Sequence, residues 1–210
     1  MNEIKKPTEE MIDYLAEMMN IGAGHSARAL SQLLQCKVEM SMPVIHILPS
    51  AEKLPAILTD AVEQMICVRM EMLGDVTGHI DFALTHRHQA ALMKFLKTAI
   101  PKEVTRIARL DTTIIEEIAN IVAGAFLTAL HDFAGVNICH TVPIMSLEFP
   151  SILGGGSPSP ASDTRMLVIE CEFQIEQAEM TTILFLIPSP ASVARLFSSI
   201  DAARAGMSAE

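Results

Sequence analysis

Asp13, Glu17 and Asn20 stand four and three residues apart, with Pro43 twenty-three residues after the Asn; Thr113, Glu117, Asn120 and Pro143 repeat that spacing a hundred residues later. On a helix, residues three or four apart leave from one face, so each carboxylate and carboxamide can address one object together. A carboxamide oxygen accepts from a water while its NH2 donates elsewhere, which suits Asn20 and Asn120 to orienting a water molecule. Asp13, Glu17, Asn20 and Gly24 form one stripe, and Thr113, Glu117, Asn120 and Gly124 a second. Both stripes are expected at the surface, because burying such groups unpaired costs several kcal/mol. A solvated helix face is the default reading of a lone Glu/Asn pair. Recurrence of the whole pattern reverses it.

The elements that must position these residues are themselves duplicated. Between Asn20 and Pro43, seven of 24 positions are identical to their partners 100 residues on, where roughly two would match by chance. Residues 8–34 read as one long helix: Thr8 can cap it, and Met11, Leu15, Met18, Ile21 (or Gly22), Leu30, Leu33 and Leu34 recur at helical spacing. Strand-like sequence covers 37–48, followed by a loop with Pro49 and Pro55 and a possible short helix near 56–62. Strands are expected at 64–73 and 77–84, joined at Gly74-Asp75, with Arg69 and Glu71 on one face and Val68, Met70 and Met72 on the other. An amphipathic helix at 88–98 closes the half, and Pro101 marks the join.

The second half retraces this order. A helix from about 106 to 133 stops at Gly135, strand-like sequence covers 137–149, and the Gly/Ser/Pro-rich stretch 154–162 reads as a mobile loop. A hairpin at 166–175 and 181–187, a helix at 189–200 and a frayed tail at 201–210 complete it. Each half is thus helix-strand-strand-strand-helix. The expectation is one α+β domain over 1–210, built from repeats of about 8–99 and 106–201, with two long helices packed against antiparallel sheet under a pseudo-twofold axis. A glycine inside a helix costs about 1 kcal/mol relative to Ala, so Gly24 and Gly124 suggest close approach by a fold neighbour or a partner.

Composition removes several function classes. The net charge of −10 opposes nucleic-acid binding, and with no Trp and a single Tyr, stacking platforms are scarce. The most apolar long segment, 114–130, contains Glu116, Glu117 and Asn120, which argues against a membrane span. The N-terminal sequence lacks a signal-peptide core, and Cys36, Cys67, Cys139 and Cys171 form no C-x-x-C pair, so reduced thiols and a cytoplasmic location are expected. Fourteen Met residues, Met11, Met18 and Met19 among them, read as core filler before they read as a docking surface. His86 and His88 lack a third ligand nearby, so no metal site or bound cofactor is expected. No Ser/His/Asp arrangement or phosphate-binding loop is present.

The spacing Asp13-x3-Glu17-x2-Asn20-x22-Pro43 resembles the D/S-x3-E-x2-N-x22-P signature of the CheC, CheX and FliY chemotaxis phosphatases. The second copy matches except that Thr113 replaces Asp or Ser. The resemblance covers nearly the whole chain, and two copies are more similar to the CheC type than to CheX, which carries one. It implies hydrolysis of the aspartyl phosphate on a phosphorylated CheY-type response regulator. An acyl phosphate already carries a good leaving group, the aspartate carboxylate, so what catalysis must add is a placed water. By resemblance Asn20 and Asn120 orient that water, and Glu17 and Glu117 pair with the regulator's active-site Lys. Mg2+ would be carried by the regulator, whose pocket is acidic, so docking should rest on shape and apolar contact. Asp13 and Thr113 would support the motif, and Pro43 and Pro143 would shape the backbone. The deamidase CheD enters as a further partner by resemblance alone. The rival reading is a non-catalytic chemotaxis or flagellar-switch adaptor.

Overall fold

In the computed structural model, residues 8–48, 65–99, 110–146 and 166–207 are described; the expected features at 49–62, Pro101 and 154–162 lie outside them. Thr8 caps the first helix, its hydroxyl accepting from the Met11 amide at 3.3 Å, and α1 runs Glu9–Leu34. It ends on Gln35 in the left-handed region, with the Cys36 amide reaching back to the Ser31 carbonyl. The first half continues as β1 (Val38–Met40), β2 (Val44–Leu48), β3 (Met65–Gly74), β4 (Gly78–Thr85) and α2 (His86–Ala99). The second has α3 (Leu110–Ala134), β5 (Ile138–His140), β6 (Ile144–Ser146), β7 (Met166–Ile175), β8 (Met180–Pro188) and α4 (Pro190–Met207). Gly135 stops α3 at φ +64, its amide bonding the His131 carbonyl. Two local expectations change. The Thr85 hydroxyl accepts from the His88 amide, and α2 starts at His86, two residues ahead of the expected 88. α4 also runs on to Met207, through a run with three Ala that favours helix over fraying.

All eight strands form one antiparallel sheet in the order β1-β7-β8-β4-β3-β5, with β2 also on β7 and β6 also on β3. Exchanging the halves reverses this order without changing it, so the approximate twofold runs between β8 and β4. The short strands are traded: β1 and β2 complete the second half's hairpin, and β5 and β6 complete the first's. Ile66, Val68, Met70, Met72, Ile80, Phe82 and Leu84 point to the face that carries all four helices, where they join Leu15, Met19, Phe126, Leu92 and Leu196 in the main core. Met18 and Met19 belong to that core, which makes them filler. The stretch Thr113–Ala134 is long and apolar enough to cross a membrane, but half of its apolar window is buried inside the fold, as a core helix requires.

The opposite face holds a smaller apolar cluster of Met65, Ala83, Val168, Phe185 and Ile187, and beside it a buried ion pair. Arg69 and Asp81 are cross-strand partners, and Asp81 is fully buried. His79 Nε2 lies 3.5 Å from Asp81 Oδ2 but makes no hydrogen bond. Burial pushes the His79 imidazole below its ordinary 6.5, against the pull of Asp81. The folded chain therefore holds His79 neutral while the unfolded chain takes up a proton below 6.5. The stability this represents is complete above that pH and is lost as pH falls below it. The denaturation midpoint should drop on acidification from 6.5, and His79→Gln should flatten the curve; equal slopes for the two proteins would exclude this origin.

Candidate functional site

The two long helices cross antiparallel. Ser26 donates to the Val122 carbonyl at 2.8 Å, and a Cβ on Gly22 would lie 3.1 Å from the Phe126 ring. Residues 22 and 26 are the counterparts of 122 and 126, so the small pair of one helix receives the large pair of the other. At Gly22 the ring of Phe126 fills the space a side chain would need. The expectation of a fold neighbour at Gly24 and Gly124 is corrected here, while that of a partner stands untouched: among the described residues a Cβ on Gly24 would meet nothing within 4 Å, and one on Gly124 only the His140 ring at 3.6 Å. Gly22→Val must displace Phe126 and should cost about 1–3 kcal/mol by overpacking. Phe126→Leu in the same chain should recover part of that in chemical denaturation; additive losses would mean the two sites do not meet.

The stripes lie away from this crossing. α1 buries Leu15, Met18, Met19, Gly22, Ala23, Ser26, Ala27, Leu30 and Leu34, which leaves Asp13 and Glu17 exposed and Asn20 and Gly24 half-buried on another face. On α3, Thr113 and Glu117 are exposed, and Asn120 and Gly124 half-buried. Among the described residues, nothing hydrogen-bonds or ion-pairs with the side chains of Glu17, Asn20, Glu117 or Asn120. With the crossing centred between residues 22/126 and 26/122, Asn20 and Asn120 are offset by eight residues, roughly 12 Å along the axis. They are two separate sites.

Each motif proline sits in a β-bulge. Ser41, Met42 and Pro43 separate the paired Met40 and Val44, whereas only Glu172 and Cys171 separate their partners Phe173 and Glu170. Thr141, Val142 and Pro143 likewise oppose Glu71 and Met70. The first bulge residue still pairs, Ser41 N to Glu172 O and Thr141 N to Glu71 O, both at 3.0 Å. The ladder then breaks where proline has no N–H to give. This break splits each expected strand of 37–48 and 137–149 into two short ones. It also places the bulge beside the stripe. His140 lies against Gly124, and three further extended residues carry the chain about 10 Å back along α3 toward Asn120. Pro43 is buried and Pro143 half-buried.

A hollow of about 210 Å3 adjoins the second stripe, lined by Leu33, Leu34, Leu96, Ile114, Glu117 and Ile118 among others. The end of α1 thus forms a wall of the site on α3. This hollow and the bulges were not foreseen; the apolar flanks of both prolines, M-P-V and V-P-I, were the available signal. Cys67 and Cys171 are buried, and burial pushes Cys171 up to about 12. Among the described residues no group of three or more His, Cys, Asp or Glu could hold a metal ion.

The model of the CheC-like family matches residues 12–47 and 113–147, the two segments that carry stripe and bulge. Over 200 residues the chain is 30% identical to the CheY-P phosphatase CheC of Bacillus subtilis, spanning 92% of this chain and 95% of that protein. Among solved structures it is similar to Thermotoga maritima FliY, with a TM-score of 0.70 at 17% identity over 94% of this chain and 98% of that one. It is also similar to a chain of the CheX–CheY–BeF3–Mg2+ complex of Borrelia burgdorferi, with a TM-score of 0.51 at 18% identity over 85% and 99%. These last two likenesses concern the fold.

Proposed function

The chain belongs to the CheC-like family, and from that membership we propose that it is a phosphatase for the aspartyl phosphate of a CheY-type response regulator. The observation that carries the reading is the pair of stripes, each with its amide at the surface one helical turn beyond an exposed carboxylate. Glu17 or Glu117 pairs with the regulator's active-site Lys and sets the helix in register over the phosphorylated pocket. Asn20 or Asn120 then accepts a hydrogen bond from a water and holds it in line with the phosphorus. The water's proton leaves as the P–O bond to the aspartate breaks, and inorganic phosphate and the free carboxylate result. Mg2+ carried by the regulator would neutralise the developing charge. No step needs a strong base, which fits a pairing of carboxylate and carboxamide in each stripe. Pro43 and Pro143 act through the bulges, by bringing the chain alongside the amides.

A relative named for CheY-P phosphatase activity and a structural neighbour complexed with CheY support this reading. The rival reading is a non-catalytic adaptor, since one fold can host binding without the chemistry. The test is decay of phosphorylated regulator with and without the protein. Faster decay with catalytic amounts carries the proposal. An unchanged rate together with measurable binding would establish an adaptor in its place.

A further inference from the structure

Among the described residues eight large apolar side chains are exposed, and six of them form three pairs related by the 100-residue offset: Leu33/Phe133, Met42/Val142 and Val44/Ile144. The halves have diverged at most positions, and no pair keeps the same residue, yet exposure and apolar character persist in both members. Solvated positions under no constraint would not stay apolar in parallel. Met42 and Val142 are 75% and 76% exposed, and each is the residue before a motif proline, in the bulge that runs beside a stripe. Leu33 lines the hollow with Glu117. The twofold puts Phe133 in the matching place beside Glu17. Each stripe is therefore flanked by two apolar side chains, one from its own half and one from the other half's long helix. Val44 and Ile144 fall outside this arrangement, because Ile144 pairs with Arg69 on the opposite face of the sheet.

We infer that Met42 with Phe133, and Val142 with Leu33, are the docking anchors that hold the regulator over Asn20 and Asn120, one regulator at each site. The inference rests on the phosphatase reading and specifies how that site recognises its partner. The occupant is the regulator because the anchors bracket the same stripe that its phosphorylated pocket must meet. A chain of net charge −10 with a carboxylate in each stripe cannot draw in an acidic pocket by long-range attraction. Apolar side chains on either side of the polar contact supply the holding interaction and exclude water around it.

The test isolates each site. In an Asn120→Ala background, Met42→Ser and Phe133→Ser are compared with their parent; in an Asn20→Ala background, Val142→Ser and Leu33→Ser. KM and kcat are read from decay of the phosphorylated regulator, and Kd from binding of the beryllofluoride-loaded regulator. Each serine should raise KM and Kd by about fivefold or more, as anchor truncation does, with kcat unchanged. Unchanged KM and Kd in all four variants would overturn the proposal, as would loss of kcat alone. If the parent proteins do not accelerate decay at all, the phosphatase reading fails, and Kd still decides whether the anchors hold the regulator. Sedimentation of wild type and variants covers the rival occupant. Serine variants that break up a dimer while regulator affinity stays intact would assign the surface to a second copy and overturn the inference. Equal melting temperatures confirm that these exposed substitutions leave the fold intact.

Discussion

Alanine at both Asn20 and Asn120 should abolish the acceleration of regulator dephosphorylation, while each single substitution leaves a working site. The expected loss per site is on the order of a hundredfold, because what disappears is the placement of the attacking water. Asn→Asp at the same positions removes the NH2 and adds charge facing a phosphoryl group, so it should not rescue activity. Glu17→Lys and Glu117→Lys should act differently. They oppose the regulator's Lys, so they should weaken binding as well as turnover. Folding should be unaffected throughout, since both amides are half-buried and make no hydrogen bond or ion pair among the described residues. A double alanine variant with wild-type turnover would remove the stripes from the mechanism. Inactivity of Asn20→Ala alone would show that the Thr113 site is idle.

Arg69→Met is expected to be the most damaging single change to stability, at about 3–5 kcal/mol. Two guanidinium nitrogens of Arg69 donate to the two oxygens of Asp81 at 2.8 Å each, and Asp81 is wholly buried. Without the arginine that carboxylate has no cation, and the neutral His79 at 3.5 Å does not supply one. The paired substitution Arg69→Met with Asp81→Leu should recover most of the loss, since an apolar pair removes the desolvated charges altogether. Asp81 already faces Phe185 across the twofold, and the apolar cluster of the same face includes that phenylalanine. Urea denaturation of the three variants measures both effects. A single-mutant loss below about 1 kcal/mol would place the pair among solvent-exposed bridges.

Helix α1 was legible almost to the residue, because its cap and its apolar period are local properties of adjacent side chains. Strands β3, β4, β7 and β8 were legible as short apolar runs between turn residues, and on β3 the alternation set Arg69 and Glu71 apart from Val68, Met70 and Met72. The stripes were legible too, because one helical turn fixes which residues share a face. Tertiary structure alone decided the rest. Nothing local says that β1 and β2 complete the other half's sheet, or that one extra residue per edge strand turns each motif proline into a bulge. Those depend on register between segments sixty or more residues apart. The helix crossing has the same character: Gly22 and Gly24 look alike in sequence, and only the ring of Phe126 makes one of them necessary. The chain by itself determined which groups could do the chemistry. Packing between the halves decided what surrounds them, because contacts between distant segments leave no periodic trace along either one.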